Sequence, residues 1–299
     1  MSPYLFVLAV NKLSMALQNA LQANQLSGIS LGPNCPPIHS LMFADDLLIC
    51  GKANMQEVQT ISQILQQFGH LSGQLPNWNK SAIMFSTNVS LQEKQDIRNL
   101  FPVPDMDNSF THLGHPLILP AKDRARAYNF VYDKFKSKLS TYKANRLSHA
   151  ARLTLIKSVF SSIPVYYMSN ILFSKKFLAR LTSIIRNFWW TCIKEDSTKR
   201  ALCLRAWADI CTDKKIGGLG IRNLQAINQS LILSAAWRIA KEPNSNLALI
   251  LKSKYYANTS FWRAEANMPK SAFWTAILKV RHLLSSASFY QLVDGSSSI

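Results

Sequence analysis

The sequence has few acidic residues for its length. It holds 16 Asp and Glu against 34 Lys and Arg, and residues 1–44 contain no carboxylate side chain. Residues 1–119 carry five basic and seven acidic side chains, whereas residues 120–299 carry the other 29 and nine. A near-neutral region followed by a strongly basic one predicts a polyanionic partner for the second region. Nucleic acid is the first candidate, and an anionic membrane surface is the weaker one.

Cysteine is also scarce, and no pair of cysteines has the CxxC spacing. Five scattered thiols argue against a disulfide framework and indicate reduced, intracellular cysteines. The sequence lacks an apolar run long enough for a transmembrane helix. Its apolar start has no basic region of the kind that opens a signal peptide. We therefore expect no membrane partner, and the oligomeric state stays open.

Two adjacent carboxylates, Asp45 and Asp46, stand within the otherwise apolar run Leu41–Cys50. The flanking pattern predicts buried β-structure, and buried ionised carboxylates need a compensating charge, for which a divalent cation is the candidate. Neighbouring strand residues point to opposite faces, so both carboxylates reach one metal only if a turn tips them together. The alternative is a tight turn at the exposed tip of a hairpin.

Hydrophobic periodicity predicts an α+β region up to about residue 119 and a helical region after it. In the first region we expect helices over 3–25, 57–71 and 91–101, two strands within 38–50, a strand over 81–86 and an extended segment over 110–119. In the second we expect helices over 128–142, 148–166, 175–192, 223–241, 244–256 and 271–284. The helix over 148–166 should bend or end near Pro164. The helices between 122 and 192 combine apolar stripes with many Lys and Arg side chains.

Six short motifs occur in a fixed order along the chain. They are Phe43-Ala44-Asp45-Asp46, Phe68-Gly69-His70-Leu71-Ser72-Gly73-Gln74, Asn77-Trp78-Asn79-Lys80-Ser81, Thr111-His112-Leu113-Gly114-His115-Pro116-Leu117, Phe188-Trp189-Trp190 and Gly217-Gly218-Leu219-Gly220-Ile221-Arg222-Asn223-Leu224. The ordered set closely resembles the reverse transcriptases of non-LTR (LINE-type) retrotransposons, especially the plant lineage. The resemblance spans essentially the whole chain.

The resemblance implies an α+β fold with part of a right-hand polymerase. Residues 1–119 would be a partial palm, 120–215 a basic helical thumb and 216–299 a helical connection segment. The fingers and the first catalytic strand would lie upstream of residue 1, and a zinc-binding module beyond residue 299. The implied activity is RNA-directed DNA polymerisation, in which Mg²⁺ assists attack of a primer 3′ hydroxyl on an α-phosphate. The implied partners are an RNA template and a DNA primer, and the implied compartment is the nucleus.

The same resemblance implies roles for individual residues. Asp45 would be a catalytic metal ligand with Asp46 as its neighbour, Lys80 would lie near the incoming triphosphate, and Leu113-Gly114 would belong to the primer grip. The thumb would contact phosphates through five basic residues, namely Lys134, Lys136, Lys143, Arg152 and Lys157. Two alternatives stay open: Lys80 as a solvated lysine, and Leu113-Gly114 as a purely structural turn.

Departures from the family pattern weaken the predicted chemistry. The second essential carboxylate of the family falls outside the chain, and we see no substitute for it among Glu57, Asp96 and Asp105. We therefore predict no polymerase activity for this chain alone. One alternative function is a non-catalytic nucleic-acid-binding remnant that uses the basic helices. Another is a helical interaction protein without a nucleic-acid role.

Overall fold

The structure is a computed structural model that describes residues 3–32, 35–107, 110–117, 126–141, 147–190, 203–265, 271–289, 291–293 and 296–298. The chain forms two compact units. The first is Met1–Leu119 together with Lys252–Ala257, and the second is Pro120–Leu251 together with Asn258–Ile299. The segments that we predict as thumb and connection therefore both lie mainly in the second unit, and their names remain predictions.

The first unit combines helices with short antiparallel hairpins. Its helices are α1 (Pro3–Gln22), α2 (Met55–Ser72) and α3 (Leu91–Leu100), and a short 3-10 helix spans Trp78–Lys80. Its strands are β1 (Ser40–Phe43), β2 (Asp46–Ile49), β3 (Thr111–His112) and β4 (His115–Pro116). β1 pairs with β2, and β3 pairs with β4. The predicted helices and the predicted first hairpin are confirmed.

The core of the first unit lies where α1 packs against α2. Leu13, Leu17 and Ala20 are buried at helical spacing, and partly buried side chains pack against them. Among these is Met42 of β1, which anchors the hairpin. The ends of α2 are set locally, because the Asn54 side chain caps its first turn and Gly73 ends it in the left-handed conformation.

The strand that we predicted over residues 81–86 is wrong. Only an isolated bridge forms, between Ile83 and Asp105. Ile83 N donates to Pro104 O at 3.0 Å, and Met106 N donates to Ile83 O at 2.7 Å. The partner segment contains Pro102 and Pro104, which have no backbone N–H, so a longer ladder lacks donors.

The second unit is helical for most of its described length. Its elements are α4 (Asn129–Thr141), α5 (His149–Leu155), α6 (Val165–Met168), α7 (Lys175–Trp190), α8 (Trp207–Cys211), α9 (Leu224–Lys241), α10 (Asn246–Tyr255), α11 (Ala272–Ala287), β5 (Gln291–Val293) and β6 (Ser296–Ser298). The last five residues of α10 belong mostly to the first unit. In the described parts of the chain, no helix is long and apolar enough to cross a membrane.

The helix that we predicted over residues 148–166 breaks near Pro164, as expected, but it is also interrupted earlier. After α5 the backbone widens into a π-helical turn, Ile156–Phe160, and Ser161 N donates to Ile156 O at 2.9 Å. Pro164 then precedes the separate α6. Proline cannot donate an intrahelical hydrogen bond, and wide turns of this kind often interrupt α-helices, so two short helices replace one long one.

Candidate functional site

Asp45 and Asp46 lie at the exposed tip of the β1–β2 hairpin. Phe43 pairs with Asp46, so Ala44 and Asp45 form a two-residue turn in which Ala44 has a φ of 52°. Both carboxylates are exposed, and Phe43 is 63% exposed. The prediction that buried β-structure flanks the carboxylates is therefore wrong. Met42 packs on the core, whereas Leu41 and Phe43, which alternate with it along β1, are exposed.

The exposed tip does not by itself form a complete magnesium site. Mg²⁺ prefers octahedral oxygen coordination, commonly through one or two carboxylates, waters and substrate phosphates. Among the described residues there is no group of three His, Cys, Asp or Glu side chains that could hold a metal ion. Asp45 and Asp46 thus supply two ligand groups without a third from another element. Their catalytic role and the Mg²⁺ remain predictions.

The other predicted residues of the first unit lie on separate elements. Lys80 is exposed at the end of the short 3-10 helix. Leu113 and Gly114 form the turn of the β3–β4 hairpin, with φ values of 51° and 74°. Positive φ at both central positions matches a type I′ hairpin turn. The predicted turn is confirmed, whereas its role in a primer grip stays a prediction.

Glu57 fixes the base of the β1–β2 hairpin, and the sequence analysis missed this role. The residue is 5% exposed. Its carboxylate accepts hydrogen bonds from Ser27 Oγ at 2.7 Å, Ser27 N at 3.2 Å and Lys52 N at 3.1 Å. Burial raises the pKa of the Glu57 carboxyl, but the hydrogen bonds from Ser27 and Lys52 outweigh it, so the pKa is lowered. Asn54-x-x-Glu57 is a helix-start signal that could have drawn attention to it.

We predict that Glu57→Gln weakens the hydrogen bonds that tie Ser27 and Lys52 to the start of α2. Because the folded pKa of Glu57 is lowered, its ionised form stabilises the fold above the pKa of the unfolded chain. That contribution is lost as the pH falls through the folded value. We expect the variant to lose about 1–2 kcal/mol locally at neutral pH. Hydrogen exchange at the Ser27 and Lys52 amides should then be roughly 5- to 30-fold faster.

The matched control for this prediction is Glu93→Gln. Glu93 is exposed and accepts hydrogen bonds from Ser90 in the capping box of α3. Its loss should leave exchange at Ser27 and Lys52 unchanged. Equal protection of these two amides in wild type and Glu57→Gln would contradict the role that we assign to Glu57.

The basic side chains of α4 and α7 are ordered by aromatic rings. Arg180 Cζ lies 4.3 Å from the centroid of the Tyr132 ring, and Lys136 Nζ lies 5.1 Å from it. Lys134 Nζ donates to Tyr167 Oη at 3.0 Å. Such cation–π contacts hold a charged group in place at an exposed site. Tyr132 thus positions one predicted cation, Lys136, and one that the sequence analysis had not selected, Arg180.

Arg152 has a structural role instead of the predicted phosphate contact. It is 8% exposed, and its guanidinium donates from Nε to Leu147 O at 3.2 Å and from Nη1 to Trp189 O at 3.1 Å. The side chain therefore ties the start of α5 to the end of α7. Lys157, on the π-helical turn, is half-buried. The predicted contact Lys143 lies outside the described residues.

A groove of about 480 Å³ runs along α7 to the start of α9. Lys175 and Arg186 lie on its α7 side, and Asn223 and Gln225 lie at the α9 end. The apolar Leu178, the small Ala179 and the hydroxyl-bearing Thr182 and Ser183 complete the lining. Among the described residues that line it, cations and hydroxyl groups occur without an acidic side chain, and such a surface is suited to an anionic ligand.

No known protein-family model matches the chain. Over 139 residues it is 36% identical to a "putative ribonuclease H protein" of Arabidopsis thaliana, a match that covers 46% of this chain and 22% of the relative. Over 135 residues it is 33% identical to an uncharacterized mitochondrial protein of the same plant, and this match covers 45% of the chain and 86% of the relative. The chain belongs to the family of this mitochondrial protein.

The two relatives place this family among proteins related to retroelements. Both are typical of open reading frames derived from plant retroelements. The chain spans about a fifth of the relative that carries the ribonuclease H description.

Proposed function

We propose that the chain is a retroelement-derived protein that binds the phosphate backbone of nucleic acid through its second unit, without polymerase activity of its own. The observation that carries the proposal is the basic groove on α7, whose described lining includes Lys175 and Arg186 and no acidic side chain. Cations that contact phosphates bind without reading sequence, so we expect little base preference.

Charge distribution supports this proposal over a role as a helical interaction protein. The excess of 20 positive charges in residues 120–299 far exceeds what solubility needs in a small domain. Aromatic contacts hold Lys136 and Arg180 in defined positions near Tyr132. Positions that are fixed before binding lower the entropy that is lost when a ligand immobilises long side chains.

We further propose that the chain descends from a reverse transcriptase, and this proposal rests on the ordered motifs of the sequence. In this view Asp45 and Asp46 are remnants of a metal site, since among the described residues no third His, Cys, Asp or Glu side chain joins them. Lys80 and Leu113-Gly114 are remnants of the nucleotide and primer sites. None of them is required for binding through the second unit.

The test compares binding with catalysis in the same preparation. Fluorescence anisotropy with labelled RNA and DNA oligonucleotides should show binding by wild type, and Asp45→Ala should bind within about twofold of it because the substitution removes no cation. A primer-extension assay with Mg²⁺ should show no incorporation by either protein. Incorporation that Asp45→Ala abolishes would overturn the proposal in favour of an active polymerase. Absence of binding at low salt would favour the helical interaction protein.

A further inference from the structure

The glycine-rich segment Gly217–Gly220 has no role in the function proposed above, and its geometry is unusual. A Cβ at Gly218 would collide with Thr212 O, so no other residue fits this close backbone approach. Gly220 has a φ of 63°, in the left-handed region that favours glycine. Two hydrogen bonds lock the turn, from Leu219 N to Ile210 O at 2.9 Å and from Gly220 N to Thr212 O at 2.8 Å.

Two lysines from distant parts of the sequence meet at this rigid turn. A Cβ built on Gly220 would lie 3.6 Å from Lys157 Nζ and 3.6 Å from Lys214 Cγ. Gly220 therefore marks the point where the Lys157 ammonium and the stem of Lys214 come close to the turn. Lys157 comes from the π-helical turn, and Lys214 from the 3-10 helix that leads into the glycine segment.

The charge at this point is not balanced by the described residues. Within the part of the chain that the structure describes, the half-buried Lys157 ammonium has neither a hydrogen-bond acceptor nor a carboxylate partner. Lys215 and Arg222 add two exposed cations nearby in the chain, against the carboxylates Asp209 and Asp213. An ammonium without a carboxylate partner among the described residues is available to bind an anion.

We propose that Lys157, Lys214 and the Gly220 turn form a phosphate-binding site for one phosphodiester group of a bound nucleic acid. This inference rests on the proposed function. The lysines are the ligands, since the amides of Leu219 and Gly220 already donate within the turn. Gly220 and Asn223 are three residues apart, so at most about 11 Å separates the site from the edge of the basic groove. One strand can therefore contact both.

The direct test is lysine footprinting by acetylation and mass spectrometry. A single-stranded oligonucleotide should protect Lys157 and Lys214 in wild type but leave Lys241 as reactive as before. Lys241 is the matched control because it is exposed at the far end of α9, about 27 Å along an 18-residue helix from its start. Protection by inorganic phosphate without protection by the oligonucleotide would overturn the assignment to a phosphodiester.

Affinity gives the second readout. At about 150 mM salt, Lys157→Met should weaken oligonucleotide binding about fivefold and lower the salt slope by about 0.7–0.9, as expected for one lost phosphate contact. Lys157→Arg should keep both values, and Lys241→Met should change neither. If wild type binds the oligonucleotide while Lys157 stays unprotected and Lys157→Met leaves the affinity unchanged, the proposed site is wrong but the proposed function stands. Absence of wild-type binding would overturn the proposed function and this site with it.

Discussion

Replacing Asn228 with alanine should destabilise the second unit by about 3–5 kcal/mol. The side chain is fully buried on α9. Its Nδ2 donates to Met168 O at 2.8 Å and to Ile171 O at 2.7 Å, and its Oδ1 accepts from Phe173 N at 2.8 Å. Alanine leaves these three backbone groups buried without their partner, at about 1–3 kcal/mol each before relaxation.

Urea unfolding followed by tryptophan fluorescence measures this effect. Six of the seven tryptophans lie in residues 120–299, so the signal reports mainly on the second unit. With a slope of about 2 kcal/mol per molar urea, the midpoint should fall by about 1.5–2.5 M. Asn246→Ala is the control, because Asn246 is exposed at the start of α10 and its loss should change stability by less than about 0.5 kcal/mol. A loss below about 1 kcal/mol in Asn228→Ala would show that water reaches the freed groups.

Neutralising three of the four cations of α7 should remove most of the nucleic-acid affinity. We expect wild-type binding to weaken about 10²- to 10³-fold between about 50 and 200 mM salt, as for four to six phosphate contacts. Lys175, Arg180 and Arg186 are exposed along this one helix. The triple glutamine variant should bind about 10²-fold more weakly at about 150 mM salt, with a slope lower by about 2–3. The slope falls because, for each phosphate contact that is lost, binding releases about one counterion fewer.

The control removes the same charge from the other unit. Lys12, Lys52 and Lys94 all lie in residues 1–119, where basic and acidic side chains nearly balance. Their triple glutamine variant changes the net charge equally but should shift affinity by less than about threefold at the same salt. Equal losses in the two triple variants would show that overall charge, and no particular surface, drives binding. Circular dichroism of both variants checks that the helices are intact.

Local patterns were enough to predict most of the elements. The apolar stripe of α1 correctly predicted a helix, and the turn residues around Ala44 correctly predicted the first hairpin, because periodicity and turn chemistry act over a few residues. Around Leu113 only a turn within an extended segment was predicted, and the structure adds the pairing of β3 with β4. The predicted strand over residues 81–86 does not form, because its partner segment contains Pro104, which has no N–H to donate. The strand's own sequence does not show which segment will be its partner. The interruption after α5 arises from a backbone widening that sequence spacing does not show.

The candidate site was less predictable for a related reason. Arg152 and Arg180 look alike in the sequence, as single arginines on basic helices. In the structure Arg152 is buried and bonded to Leu147 O and Trp189 O, whereas Arg180 lies exposed beside the Tyr132 ring. The hairpin of Asp45 is more exposed than its sequence predicts. The apolar run predicted burial, but Met42 packs on the core while its neighbours in β1 are exposed.

The sequence by itself determined the charge separation between residues 1–119 and 120–299, the helical character of the second part and the ordered motifs that point to a retroelement. These are properties of composition and spacing, which a chain carries whether or not it is folded. Tertiary structure alone decided which cations are available to a ligand and brought Lys157 to the turn at Gly220. Burial and convergence depend on which elements pack together, and residues distant in sequence make those contacts.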